Sequence, residues 1–164
     1  MTGSRQWLTV SEAARVASHL AGRPCSPRQV RHLLVTGALG TETGRRVHGQ
    51  TRLYGQLDIA FVRLALRLQA QGISPWVVRV VLTYLRNDLV RAWKSSAAVA
   101  LAINGLKGTL EPALRQRPAS ATAWVPLREI AKGIDAEIQR VCDARPTVWM
   151  WRRVSVQAVP RTAV

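Results

Sequence analysis

Two reciprocal capping boxes fall within the first thirty residues, and they constrain the fold more than any other feature of the chain. In Thr9-Val10-Ser11-Glu12 the threonine and glutamate can each accept a hydrogen bond from the other's free backbone N–H, which starts a helix at that point. Leu8 stands where a hydrophobic staple would pack. Ala13, Ala14, Val16, Ala17 and Leu20 then supply an apolar stripe at helical spacing, until Gly22 offers a left-handed exit and Pro24 forbids continuation. After a short connection the second box opens at Ser26-Pro27-Arg28-Gln29, with Ser26 as N-cap, proline at the first helical position and Gln29 closing the box. This second helix should end at Gly37. Val30, Leu33 and Leu34 point inward, whereas Arg28, Gln29, Arg31 and His32 occupy the opposite face.

Two short helices joined by a tight connection, the second carrying side chains that reach base edges and phosphates, are what a DNA-reading motif requires. A solvated surface face is the competing reading of the same four residues. The following segment bears on that choice. Between Gly40 and Tyr54, glycines at 44 and 49 punctuate Arg45, Arg46, His48 and Arg52, and Leu39 and Leu53 flank the run. A basic, glycine-bounded hairpin after such a helix pair suits a wing that lies on the phosphate backbone or enters the minor groove.

The charge of the chain agrees with a polyanionic partner. Its 24 Lys and Arg against 9 Asp and Glu give a net charge of +15, more than solubility alone needs. Residues 1–86 hold 12 basic and 3 acidic side chains (+9) and residues 87–164 hold 12 and 6 (+6), so the bias toward the first half is modest. Nearly all the cations are arginine, which forms bidentate bonds to phosphate and guanine, although a GC-rich coding sequence would also enrich arginine. At 48% hydrophobic residues, the chain can nonetheless bury a real core.

The order of these segments resembles the MerR-family reading head. The resemblance rests on Leu8-Thr9-Val10-Ser11-Glu12-Ala13-Ala14, Ser26-Pro27-Arg28-Gln29-Val30-Arg31, Gly37-Ala38-Leu39 and Arg52-Leu53-Tyr54. Asp58 then opens a third helix, and Leu64, Leu68 and Gly72-Ile73-Ser74 precede a fourth. About the first half of the chain is covered. The resemblance implies that Arg31, Arg52 and Tyr54 contact backbone phosphates while Arg28 and Gln29 face the major groove. Three positions depart from the family pattern: the connection between the first two helices is longer than usual, Leu33 stands where a tyrosine is common, and Gly55 replaces a capping serine.

The third helix, about 56–71, should bury Leu57, Ala60, Phe61, Leu64 and Leu68 and expose Arg63 and Arg67. The fourth starts with Ser74 as N-cap and Pro75 at the first position. Its apolar surface, Trp76 to Leu85, is broad enough to suggest burial on two sides, under the C-terminal half or against a second subunit. Heptad character fails at Ser95-Ser96, which argues against a long coiled coil. Residues 97–110 read as a hairpin about Asn104-Gly105, with a helix ending at Gly105 as the alternative. A loop over 112–122 leads to one helix carrying Leu127, Ile130, Ala131, Ile134, Ile138 and Val141, and alternation over Thr147–Val159 predicts one or two strands.

The expected fold class is thus mainly α with short β hairpins: an N-terminal winged helix-turn-helix of the MerR type over 1–86, then a small α+β module over 87–164. The function expected of it is sequence-specific binding of double-stranded DNA by a homodimer on an inverted repeat, in transcription regulation. The contacts fall to Ser26, Arg28, Gln29, Arg31, His32, Arg45, Arg46, His48, Arg52 and Tyr54. Dimerisation, effector binding or protein-partner binding is left to the second module. Two other classes use the same residues and stay open: an architectural, excisionase-like factor that bends DNA, and a DNA-binding antitoxin whose C-terminal module holds a protein partner. No catalytic set converges, since the three histidines and nine acids are scattered, so an enzyme is not expected. Cys25 and Cys142 lie far apart without Cys/His spacing, so neither metal, cofactor nor disulfide is expected. The absence of a signal-like stretch and of a long apolar run points to a cytoplasmic, nucleoid-associated protein rather than a membrane or secreted one.

Overall fold

The computed structural model describes residues 7–35, 45–47, 51–95, 98–113 and 117–145, with the backbone alone at 35, 45–47 and 51–52. The chain is a mixed α+β protein. Helices α1 (Val10–Ala21) and α2 (Pro27–Val35) are followed by a strand pair, β1 (Arg45–Val47) and β2 (Thr51–Leu53), and by helices α3 (Gln56–Ala70), α4 (Pro75–Tyr84) and α5 (Arg86–Lys94). A hairpin of β3 (Val99–Asn104) and β4 (Lys107–Pro112) comes next, then β5 (Ala123–Pro126), α6 (Leu127–Ala131) and α7 (Ile134–Asp143). The larger sheet is antiparallel, ordered β4-β3-β5.

Each early helix starts where its cap predicts. The Thr9 hydroxyl accepts from the Glu12 N–H at 3.3 Å and the Glu12 carboxylate accepts from the Thr9 N–H at 2.7 Å. Gly22, left-handed at φ 63°, closes α1, and its N–H reaches back to the carbonyls of Ser18 and His19. At α3 the N-cap is Gly55, so only half of a box forms: the Asp58 carboxylate accepts from the Gly55 N–H at 2.7 Å, and glycine has no side chain to return the bond.

α3 is the centre of the core. Ile59, Phe61, Val62, Leu64, Leu66 and Leu68 are all buried, which exceeds the single stripe its periodicity suggests. The reason is that α1, α2 and α4 pack on it from one half of the chain, and β5, α6 and α7 from the other. Residues on both sides of position 86 therefore belong to one hydrophobic cluster. Phe61 meets Trp93 edge-on, ring centroids 4.8 Å apart, and the Trp93 indole N–H donates to the Leu127 carbonyl at 3.4 Å, joining α3, α5 and α6.

The predicted hairpin is present, but its turn falls one residue later than Asn104-Gly105: Asn104 pairs with Lys107, so the two-residue turn is Gly105-Leu106 and the strands run over 99–104 and 107–112. Gly105 takes φ 59° at the first central position, where hairpin turns need positive φ. One face of the hairpin covers α4. At Gly108 a Cβ would lie 2.4 Å from Val81 Cγ1 and 2.9 Å from Leu85 Cδ1. Val81 is buried and stiff at χ1, so Gly108→Val should destabilise the fold by about 1–3 kcal/mol through overpacking. Thermal melting checks this, and an unchanged melting temperature would mean that β4 does not rest on α4.

Two expectations need correction. The helix expected as one piece from Leu127 to Cys142 is two, because Lys132 is extended (φ −61°, ψ 127°) and Gly133 is left-handed at φ 80°. The break frees carbonyls that a continuous helix would satisfy, and Arg63 satisfies them: its Nη1 donates to the carbonyls of Ile130 (2.8 Å) and Lys132 (2.6 Å). Arg63, expected on a solvated face, is instead a structural clamp. The second correction is β5, which lies just after a stretch expected to be loop and is not marked by the pattern of the sequence. It pairs with β3, and its outer edge is met by Gln71, whose amide bonds the backbone N–H and C=O of Trp124 at 3.1 and 3.2 Å as a neighbouring strand would. The strands expected over Thr147–Val159 lie outside the described residues.

Candidate nucleic-acid interface

The second capping box forms as the sequence requires. The Ser26 N–H donates to Gln29 Oε1 at 2.8 Å and the Gln29 N–H donates to Ser26 Oγ at 3.2 Å. This fixes α2 and also engages Gln29: its side-chain oxygen is committed to the cap, which leaves the amide NH₂ as its free donor. Val30 and Leu34 bury the inner face of α2, and Arg28, Gln29, Arg31 and His32 are all exposed on the outer one. Among the described residues, neither Arg28 nor Arg31 has a hydrogen-bond or ion-pair partner. No acidic residue occurs in α2.

The connection between α1 and α2 is held by Ser18, whose hydroxyl donates to the Ala14 carbonyl and accepts from the Cys25 N–H, both at 2.8 Å. Cys25 itself is buried, and burial pushes its thiol up from the ordinary value, so it is an inert packing residue. Beside this connection runs an open groove of about 760 Å³, lined by Ser11, Ser18, Pro24, Cys25 and Pro27, with Arg15, His19 and Arg23 at its rim. Two of the three rim residues are held by the protein. Arg23 donates to Gln69 at 3.3 Å, and His19 Nδ1 lies 3.1 Å from the Glu137 carboxylate. A hydrogen bond from Arg140 and the neighbouring His19 outweigh burial and keep that carboxyl below the usual range. Arg15 is exposed and, among the described residues, has no partner. In the sequence Arg15 is marked only as a polar position between the apolar Ala14 and Val16 of α1.

The strand pair places Arg45 opposite Leu53, Arg46 opposite Arg52 and Val47 opposite Thr51. Arg46 and Arg52 thus share one rung. His48 lies outside the described residues. Tyr54, expected at a phosphate, is 3% exposed and belongs to the core, where its N–H and C=O pair with those of Leu8 at 2.8 and 2.9 Å. Burial of the ring leaves it no broad surface to offer a ligand. The structure therefore brings Ser26, Arg28, Gln29, Arg31 and His32 together on one exposed face and removes Tyr54 from it.

Among the described residues no group of three or more His, Cys, Asp or Glu is placed to hold a metal ion, and no helix is long and apolar enough to cross a membrane. Comparison with known proteins finds no matching family model, and no curated protein or solved structure of significant similarity.

Proposed function

We propose that the chain is a sequence-specific double-stranded DNA-binding protein, a regulator with a MerR-like winged helix-turn-helix, acting as a homodimer on an inverted repeat. The observation that carries this reading is the outer face of α2, where Arg28 and Arg31 stand exposed and unpaired among the described residues of a chain with net charge +15. Unpaired arginines on one face of a short helix are free to exchange water for guanine edges and phosphates in a major groove. The strand pair supports the reading as a wing, because its two short strands carry Arg45, Arg46 and Arg52 and no acidic residue. Arg28 is the principal base reader, since Gln29 divides its side chain between the cap and the groove.

Selection from a random duplex library, followed by titration of the winner and of a scrambled duplex, tests the proposal. The expected winner is palindromic and binds about a thousandfold more tightly than the scramble. Arg28→Ala should cost about 1–3 kcal/mol and relax the sequence preference, whereas Arg52→Ala should weaken all sequences alike. Unchanged affinity and preference in Arg28→Ala would show that α2 does not enter the groove. Equal binding to winner and scramble would replace a sequence-specific regulator with a DNA-bending protein, and no binding to either would remove the DNA reading altogether.

A further inference from the structure

Helix α4 has two apolar faces, and the described residues cover only one. Val78, Val81 and Leu82 are buried, with Gly108 of β4 packed against Val81. On the other face Trp76 is 59% exposed, Val80 36% and Tyr84 84%. These three follow at i, i+4 and i+8, which sets them in one line about 12 Å long on the helix surface. Single exposed hydrophobic residues are ordinary, but a contiguous apolar line that spends a tryptophan and a tyrosine on solvent marks an interaction surface.

We propose that this line is the homodimer interface, formed by α4 of one copy lying antiparallel on α4 of a second copy with the two-fold axis at Val80. The inference rests on the homodimer of the DNA-binding reading and names its contact surface. Its basis is the symmetry of the line itself. A large aromatic residue stands four positions before Val80 and another four positions after, so antiparallel pairing sets Trp76 against Tyr84 of the partner subunit at both ends. A self-complementary patch of this kind is what an isologous two-fold contact requires, and an unrelated partner would not require it. The small valine at the crossing lets the helix axes approach to about 8–10 Å. The composition also fits. Trp76 and Tyr84 are residue types enriched at interface hot spots.

With aromatic side chains able to bury roughly 150–250 Å² each, the exposed parts of Trp76, Val80 and Tyr84 from two copies give on the order of 700–800 Å². That lies below the roughly 1,200 Å² at which stable specific interfaces begin, so the contact is a weak one that adjacent DNA half-sites hold together.

Sedimentation equilibrium of the full chain without DNA, between about 1 and 100 µM, should show mass rising toward twice the 18.1 kDa of one chain. Trp76→Ser with Tyr84→Ser should weaken dimerisation at least tenfold while leaving the fold intact, read as an unchanged far-ultraviolet circular dichroism spectrum and, at a dilution where both proteins are monomeric, an unchanged melting temperature, since both side chains face solvent in one chain. In a Cys142→Ser background, Val80→Cys should cross-link to itself on oxidation, because residues at the axis meet their own copies. Arg91→Cys, exposed on α5 and off the line, should not. A monomer at 100 µM, a dimer indifferent to the double substitution, or Val80→Cys cross-linking no faster than Arg91→Cys would each overturn the interface. Because the mass is read without DNA, failure here leaves duplex binding standing, and failure to bind duplex leaves the dimer standing.

Discussion

Raising the salt from 50 to 200 mM should weaken binding of this chain to duplex DNA by roughly 10³–10⁵-fold, the loss that accompanies neutralisation of about six to ten phosphates. The cause is counterion release. Each cation that neutralises a phosphate frees condensed counterions, and added salt removes the entropy gained. Arg28 and Arg31 carry no compensating protein partner among the described residues, and β1 and β2 hold Arg45, Arg46 and Arg52. If a dimer engages about ten phosphates, affinity falls with roughly the tenth power of salt, and Arg31→Ala should lower that slope by about one per subunit, for the phosphate it no longer neutralises. A slope near zero would sink the proposal, because no arrangement of these arginines binds a polyanion without displacing its counterions.

The second large effect is on stability. Arg145 reaches from the C-terminal side of α7 to the first turn of α1, where its Nε and Nη2 donate to the two Glu12 oxygens at 2.8 and 2.9 Å, and Nη2 also donates to the Trp7 carbonyl. Both side chains are mostly buried, and Glu12 at once caps α1. Arg145→Ala leaves the carboxylate without its cation in a partly desolvated place. About 2–4 kcal/mol of stability should be lost, toward the lower end for breaking a buried pair because the site is at the rim. For a chain of this length that is a fall of roughly 5–15 °C in melting temperature.

The same pair sets a pH dependence. Burial pushes the Glu12 carboxyl up, but the hydrogen bonds and charge of Arg145 and the bonds of Thr9 outweigh it and hold the group below its ordinary 4.5. A carboxyl with a depressed folded value binds fewer protons folded than unfolded. Its stabilising contribution is therefore complete above the ordinary value and is lost as pH falls from 4.5 through the lower folded one. Glu12→Gln should flatten the stability profile in that acid window, as denaturant titrations between neutral and acid pH would reveal. An unchanged profile would show that the pair carries no differential charge energy.

Much of the candidate interface was legible because its signals are local. Capping boxes close within three residues, so Thr9 with Glu12 and Ser26 with Gln29 name their own helix starts, and the polar side of α2 follows from the 3.6-residue repeat once the start is known. The β3–β4 hairpin was legible for the same reason, since a glycine able to take positive φ marks the turn; its register was not, because Gly105 sits at the first central position of the turn rather than the second. Apolar spacing alone could not find the interruption at Gly133, because Leu127, Ile130, Ile134 and Ile138 keep helical spacing across it. Nor did four residues of β5 carry enough alternation to mark a strand.

The sequence by itself determined where α1 and α2 begin, which face of α2 is cationic, and that the chain carries a net charge of +15. Each of these depends on residues a few positions apart. Only the tertiary structure decided that Tyr54 is core, that Arg63 and Gln71 serve the second half of the chain, and that Trp76, Val80 and Tyr84 of α4 are left exposed by the described residues. Those outcomes turn on what a side chain meets across the fold, such as Arg145 and Glu12, 133 positions apart. Burial is fixed by that assembly, and no local pattern records it.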